Sequence, residues 1–197
     1  MPRNKSDGQA SEGRLSPFLE QQRIHQAVRF IPPNADILDI GCGRARILEH
    51  LPSVHTYVGL DLLEDVVLEN RRHYPNHRFF CVDIERDQVP AEGKFDVIIM
   101  LAILEHLRDT TRTLSKLSEF LGDNGRIILT TPHPVAQLPH QFGARIGLFS
   151  RAAAEEHTRF FNRAMLADLV RGTGLSLSVY RRFQVGLNQI AVCERAL

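Results

Sequence analysis

The chain has 197 residues, with 24 basic and 23 acidic side chains and a formal net charge of +1. A domain of this size buries about 70% of its unfolded surface, so one core suffices. The near-neutral balance removes the bulk electrostatic case for nucleic acid or an anionic membrane, and no run approaches the ~18 apolar residues of a membrane span.

Residues 1–14 are small and polar, with no apolar period, and read as a flexible tail without the apolar core of a signal peptide. Residues 15–197 read as a single domain. Cys42, Cys81 and Cys193 are far apart, lie in or beside apolar runs and form no CxxC pair. They read as reduced core thiols of a soluble cytoplasmic protein.

Leu15, Phe18, Leu19, Ile24, Ala27 and Val28 recur at helical spacing until Pro32 and Pro33, which predicts a leading helix over 15–31. Residues 35–40 read as a buried strand, and residues 44–51 as a short helix ended by Pro52. A second strand over 57–60 ends at Asp61, an amphipathic helix covers 63–74, and a third strand over 78–82 runs into Asp83. FDVIIML at 95–101 is the continuous apolar run expected at the centre of a parallel sheet. Asp96 within it is assigned to structure. Leu107, Leu114, Leu117 and Leu121 mark another helix, GDNG at 122–125 a turn, and 126–131 a fifth strand.

The rhythm then breaks. Residues 132–158 mix prolines, histidines, arginines and large apolar side chains in a connection long enough to serve as a lid. Asn162 suits the cap of a helix covering Met165, Leu166, Leu169 and Val170. Two alternating runs, 175–180 and 187–192, suggest a closing antiparallel hairpin. Strands that alternate with helices indicate an α/β fold of right-handed βαβ units.

The densest stretch is ILDIGCGRARIL at 37–48. Gly41 and Gly43 let a ligand lie against the backbone, and a helix after them would direct unpaired N–H groups at it. Asp39 changes the expectation, because a carboxylate there repels a pyrophosphate and attracts an ammonium. Asp61 and Asp83 stand at the ends of the next two strands, along the same sheet edge. A carboxylate at Asp61 suits the hydroxyls of a ribose, and one at Asp83 suits an exocyclic amine. Together the three acids outline a nucleoside that carries an ammonium.

ILDIGCG, GLDL at 59–62, CVDI at 81–84, FDVIIMLAILEHL at 95–107 and LGDNGRIILTTPHP at 121–134, taken in order, resemble the class I S-adenosylmethionine-dependent methyltransferases. The resemblance implies a Rossmann-like, seven-stranded, mostly parallel sheet with an antiparallel last strand and helices on both faces. It implies that Asp39, Gly41 and Gly43 line the methionine part of S-adenosylmethionine and that Asp61 holds the ribose. It also implies that Leu62 packs on the adenine, that Asp83 and Ile84 read the adenine edge, and that Leu101 sits near the methionine end. The family's third glycine is Ala45 here. The activity implied is in-line methyl transfer to the oxygen or nitrogen of a small-molecule acceptor, and the mixed apolar and basic residues of 132–158 suit an amphipathic acceptor with an anionic group.

Some relatives bind a metal through ExxEH, but the first position here is Ala102, which leaves Glu105 and His106, too few for a catalytic metal. For a hydroxyl acceptor, His106 or His133 is the candidate general base. Two other classes compete. An NAD(P)-dependent dehydrogenase shares the glycine turn and the acid after the second strand, yet has glycine where this chain has Arg46. A non-catalytic scaffold of the same fold would retain the strands without needing the acids.

Overall fold

The computed structural model describes residues 16–136 and 159–196. The predicted tail at 1–14 and all but the first residues of the predicted lid at 132–158 lie outside the described residues.

Seven strands form one sheet: β1 (Ala35–Ile40), β2 (Val54–Asp61), β3 (Arg78–Cys81), β4 (Phe95–Leu101), β5 (Leu121–Pro132), β6 (Leu175–Phe183) and β7 (Asn188–Arg195). Their order is β3-β2-β1-β4-β5-β7-β6. Neighbours among β1 to β5 are parallel, and β7 runs antiparallel to both β5 and β6. This is the Rossmann-like sheet with an antiparallel last strand. The final hairpin closes it by inserting β7 between β5 and β6.

Among the described residues, four α-helices flank the sheet: α1 (Ser16–Val28), α2 (Glu64–His73), α3 (Thr110–Ser118) and α4 (Arg163–Arg171). Successive residues of a strand point to opposite faces, and each face has its own core. Ile37, Tyr57, Val97 and Ile99 pack with Ile24 and Ala27 of α1 and Val67 of α2. Leu38, Val58, Ile98 and Met100 pack with Leu114 and Leu117 of α3 and Leu166 and Val170 of α4. Central β4 is buried on both faces, which explains its unbroken apolar run, and each such side chain contributes about 1.5–3 kcal/mol of burial. The caps are where the sequence puts them: Asn162 accepts from the Met165 N–H at 3.0 Å. Asp96 is indeed structural, since Oδ2 accepts from the Asp36 N–H at 2.9 Å. Among the described residues, no helix is long and apolar enough to cross a membrane.

Three expectations are corrected. The helix predicted over 44–51 is a five-residue 3₁₀ turn, Arg46–His50. Ala45 takes a left-handed φ of 51°, so no helix can start before Arg46, and Leu51, which precedes Pro52, is extended. The GDNG segment is a bulge inside β5 and not a turn before it. Leu121 pairs with Phe95 and Arg126 with Val97, and the chain between bulges past β4. Gly125 fits there because a Cβ would come within 2.8 Å of the Phe95 carbonyl oxygen. Finally, Cys81 is exposed: it ends β3, the edge strand, and is left uncovered although Phe79 on the same face of that strand is buried. Cys193 is a core thiol, its pKa pushed up to about 12 by burial and then by the neighbouring Glu194 charge. Cys42 is half-buried.

Ala45 is completely buried despite its φ. An Ala45→Gly change would relieve about 1–2 kcal/mol of left-handed strain. It would also lose about 0.8 kcal/mol of methyl burial and about 0.4–1 kcal/mol through the freer unfolded chain. The terms nearly cancel, so urea unfolding should show a change below about 1 kcal/mol. A larger loss would mean that the methyl fills a packing role beyond its area.

Candidate functional site

β1 ends in a turn that is fixed to its neighbours at each step. The N–H groups of Gly41 and Cys42 both donate to the Leu60 carbonyl, at 2.8 and 3.0 Å. The Gly43 N–H donates to Asp61 Oδ2 at 2.8 Å, and Asp61 Oδ1 accepts from the Leu63 N–H at 3.0 Å. From α2, buried Asn70 donates to the Gly43 carbonyl at 2.7 Å. Gly41 and Gly43 have φ of 66° and 50°, and a Cβ on Gly43 would meet nothing within 4 Å. At Gly43 the turn therefore presents a bare surface, whereas at Gly41 the Ile103 side chain occupies the place of a Cβ, and the three amides are engaged within the protein. The row of N–H donors expected from a following α-helix is not built, for the reason seen at Ala45.

Asp39 is 4% exposed and accepts a 2.6 Å hydrogen bond from the Tyr57 hydroxyl. Burial pushes its pKa up to about 7. The Tyr57 bond opposes the shift, and the Asp61 charge adds to it. Burial and the charge on Asp39 likewise push the Tyr57 phenol well above its ordinary range. A cavity of about 180 Å³ opens beside Asp39, walled also by Arg23, Gly41, Gly43, Arg46 and Leu101. Arg46 Nη1 meets Glu20 Oε2 at 3.0 Å, which ties the 3₁₀ turn to α1. Burial lowers the Arg23 pKa, while the charges on Glu105 and Glu20 oppose that shift.

A second cavity, of about 840 Å³, shares Gly41 as a wall. It runs past Asp61 and Leu62 to Asp83, Ile84 and Arg86, and Ile103, His106 and Arg108 form its other side. Leu62 is 66% exposed, a large apolar side chain left uncovered at the cavity wall. The structure thus brings Asp39, Gly41, Gly43, Asp61, Leu62, Asp83, Ile84, Leu101 and His106 to two adjoining cavities along the C-terminal edge of the sheet. His133 lines neither. Its N–H donates to the Leu187 carbonyl at 2.8 Å, and its Nδ1 accepts from the Val135 N–H at 3.2 Å. Burial and then the Arg182 charge push its pKa down. Its Nδ1 is thus taken up by the Val135 N–H among the described residues.

Glu105 points inward and is completely buried. Burial pushes its carboxyl pKa up, against the opposing influences of a backbone hydrogen bond and then of His106, the Thr131 hydroxyl and Arg23. Sequence reasoning missed four contributors: Tyr57, Asn70, Arg23 and the inward position of Glu105. The signal available was weak, namely a tyrosine beginning an otherwise aliphatic strand, and single polar residues on the apolar sides of α1 and α2.

A glycine turn after β1, acids at the ends of β1, β2 and β3, and paired cavities at the reversal of strand order between β1 and β4 define a nucleoside-cofactor α/β domain. The family described as methyltransferase domain matches residues 14–178, most of the chain, and the protein belongs to that family. The chain is 33% identical over 101 residues to a malonyl-[acyl-carrier protein] O-methyltransferase of Bacillus anthracis, covering 48% of this chain and 36% of that one. It is 27% identical over 162 residues to a ubiquinone biosynthesis O-methyltransferase of Xanthomonas axonopodis pv. citri, covering 77% and 66%. It therefore spans about a third to two thirds of the length of these curated relatives. A solved S-adenosylmethionine-dependent methyltransferase from Mesorhizobium loti superposes with a TM-score of 0.70 at 16% identity, covering 90% of this chain and 100% of that one, which shows the shared fold.

Proposed function

We propose that this protein binds S-adenosylmethionine and transfers its methyl group to a small-molecule acceptor. The observation that carries the proposal is Asp39. It is a buried carboxylate beside a bare glycine turn, its hydrogen-bond donor is a neutral phenol, and the charge of Asp61 works against its ionisation. Such a group is completed by a cation, and an amino-acid ammonium fits the small cavity next to it. Arg23 in the same cavity suits the α-carboxylate of that amino acid. Gly41 and Gly43 let the chain of the ligand pass between the cavities. Asp61 retains lone pairs for ribose hydroxyls after its two backbone bonds, Leu62 covers one face of the base, and Asp83 and Ile84 meet its edge.

When bound, S-adenosylmethionine supplies a methyl already activated by the sulfonium, so the protein's tasks are alignment and exclusion of water. Leu101, the last residue of β4, lines the smaller cavity near the methionine end, and His106 lies on the wall of the larger cavity. The names of both curated relatives favour an oxygen acceptor. For a hydroxyl, His106 is the better placed of the two histidines to take the proton, since His133 spends Nδ1 on Val135.

The dehydrogenase alternative is disfavoured by the same geometry. A pyrophosphate needs turn amides, and those of Gly41, Cys42 and Gly43 are engaged, with Asp39 close by. A non-catalytic scaffold has no use for an ionisable group held uncompensated at Asp39. Thermal unfolding separates the three readings. S-adenosylhomocysteine at about 100 times its Kd should stabilise by about 2.7 kcal/mol, and NAD should not. A shift with NAD alone would favour the dehydrogenase, and no shift with either ligand would favour the scaffold.

A further inference from the structure

We propose that Glu85 and Lys116 are positioning residues that cross-brace the base-reading loop against α3 and thereby set a preference for adenine over hypoxanthine. The proposal rests on the cofactor reading above. Lys116 lies behind the cavity wall, and Glu85, although on that wall, spends Oε1 on the backbone of Arg108 and Asp109; each acts through Asp83 and Ile84.

The loop after β3 is wound on itself. The Asp83 carbonyl accepts from the N–H groups of Arg86 at 3.1 Å and Asp87 at 2.8 Å, and the Asp83 N–H donates to Asp87 Oδ2 at 2.8 Å. Asp83 Oδ1 accepts from the Glu85 N–H at 3.0 Å, and Oδ2 faces Arg86 Nε at 3.5 Å. These bonds shape the loop but leave its distance from the opposite cavity wall unset. That distance is set by two side chains that cross in opposite directions. Glu85 Oε1 accepts from the N–H groups of both Arg108, at 2.9 Å, and Asp109, at 2.8 Å, immediately before α3. From α3, Lys116 Nζ donates back to the Ile84 carbonyl at 3.0 Å and to the Asp87 carbonyl. Glu85, Arg108 and Asp109 also line the larger cavity, so the braced segments are its two facing walls.

Hydrogen bonds to charged groups are strong and fall off steeply with misalignment. The exocyclic amine of adenine donates to the Asp83 carboxylate, whereas the oxo group of hypoxanthine sets oxygen against oxygen. Discrimination therefore depends on holding Asp83 at one depth, and the crossed Glu85 and Lys116 bonds hold it.

Calorimetric titration of S-adenosylhomocysteine and S-inosylhomocysteine into the parent protein, Lys116→Met, Glu85→Ala and Glu85→Gln tests this. The parent should prefer the adenine ligand by roughly ten-fold to a hundred-fold. Lys116→Met and Glu85→Ala should each reduce that ratio by at least about three-fold, while Glu85→Gln retains it, because the amide oxygen still accepts both N–H groups. If Glu85→Ala fails to fold, Lys116→Met and Glu85→Gln decide. An unchanged ratio in Lys116→Met, whatever its unfolding midpoint, overturns the proposal, as does a parent without preference between the ligands. A parent that binds neither ligand overturns the cofactor reading beneath it.

Discussion

An Asp39→Asn protein should be more stable than the parent at pH 8 and yet lose the cofactor. In the folded protein the Asp39 pKa is raised from 3.8 to about 7, chiefly by burial. An acid with a raised folded pKa binds its proton more tightly when folded, so its ionisation opposes folding. That penalty is absent below the unfolded pKa, grows as pH rises from 3.8, and is complete above about 7. The gap corresponds to about 4 kcal/mol. Asparagine keeps an oxygen to accept from Tyr57 and removes the charge, while burying its amide hydrogens costs about 1–2 kcal/mol. The net gain at pH 8 should be about 2 kcal/mol or more, shrinking as pH falls to 5. Paired urea titrations at the two pH values read it directly.

The same ionisation governs ligand binding. An ammonium requires the carboxylate, so below about pH 7 binding must release the proton on Asp39, and affinity for S-adenosylhomocysteine should fall by up to about ten-fold per pH unit. The asparagine of the Asp39→Asn protein supplies no charge, and its affinity should drop at least about a hundred-fold with this pH dependence gone. A variant that is less stable at every pH, or that binds as well as the parent, would remove Asp39 from the ammonium site.

The parts of this site that could be read from sequence are those that follow a strand directly. Asp39, Asp61 and Asp83 each sit at the end of an apolar run, and buried parallel strands align such ends along one edge. Contacts set by register between strands were not readable. Tyr57 reaches Asp39 because β1 and β2 pair Ile37 with Tyr57 and Asp39 with Gly59, a relation between residues 18 apart that no local period encodes. Edge position was equally hidden: RFFC in β3 resembles any short buried strand until its order in the sheet is known, and that order exposes Cys81. The 3₁₀ turn reflects a single left-handed dihedral at Ala45, which the identity of an alanine side chain does not announce.

Gly41→Ala should be the most damaging of the small changes at the turn. With φ at 66°, an alanine there carries about 1–2 kcal/mol of left-handed strain. Its Cβ would also lie 2.1 Å from Ile103 Cδ1 and 2.8 Å from Cγ1, so the isoleucine must leave its rotamer, at a cost of about 1–3 kcal/mol. Together these predict a loss of about 2–5 kcal/mol from a single methyl group. Ile103 lines the larger cavity next to Gly41, and the displaced side chain has that space to enter. Affinity for S-adenosylhomocysteine should therefore fall by at least about ten-fold, the scale of one mispositioned contact. A double-mutant cycle separates strain from clash. In an Ile103→Ala background the new Cβ meets open space, so Gly41→Ala should cost only the backbone strain, and the coupling between the two sites should be about 1–3 kcal/mol. Additive effects would show that Ile103 does not police the turn and that the demand for glycine comes from the left-handed backbone alone.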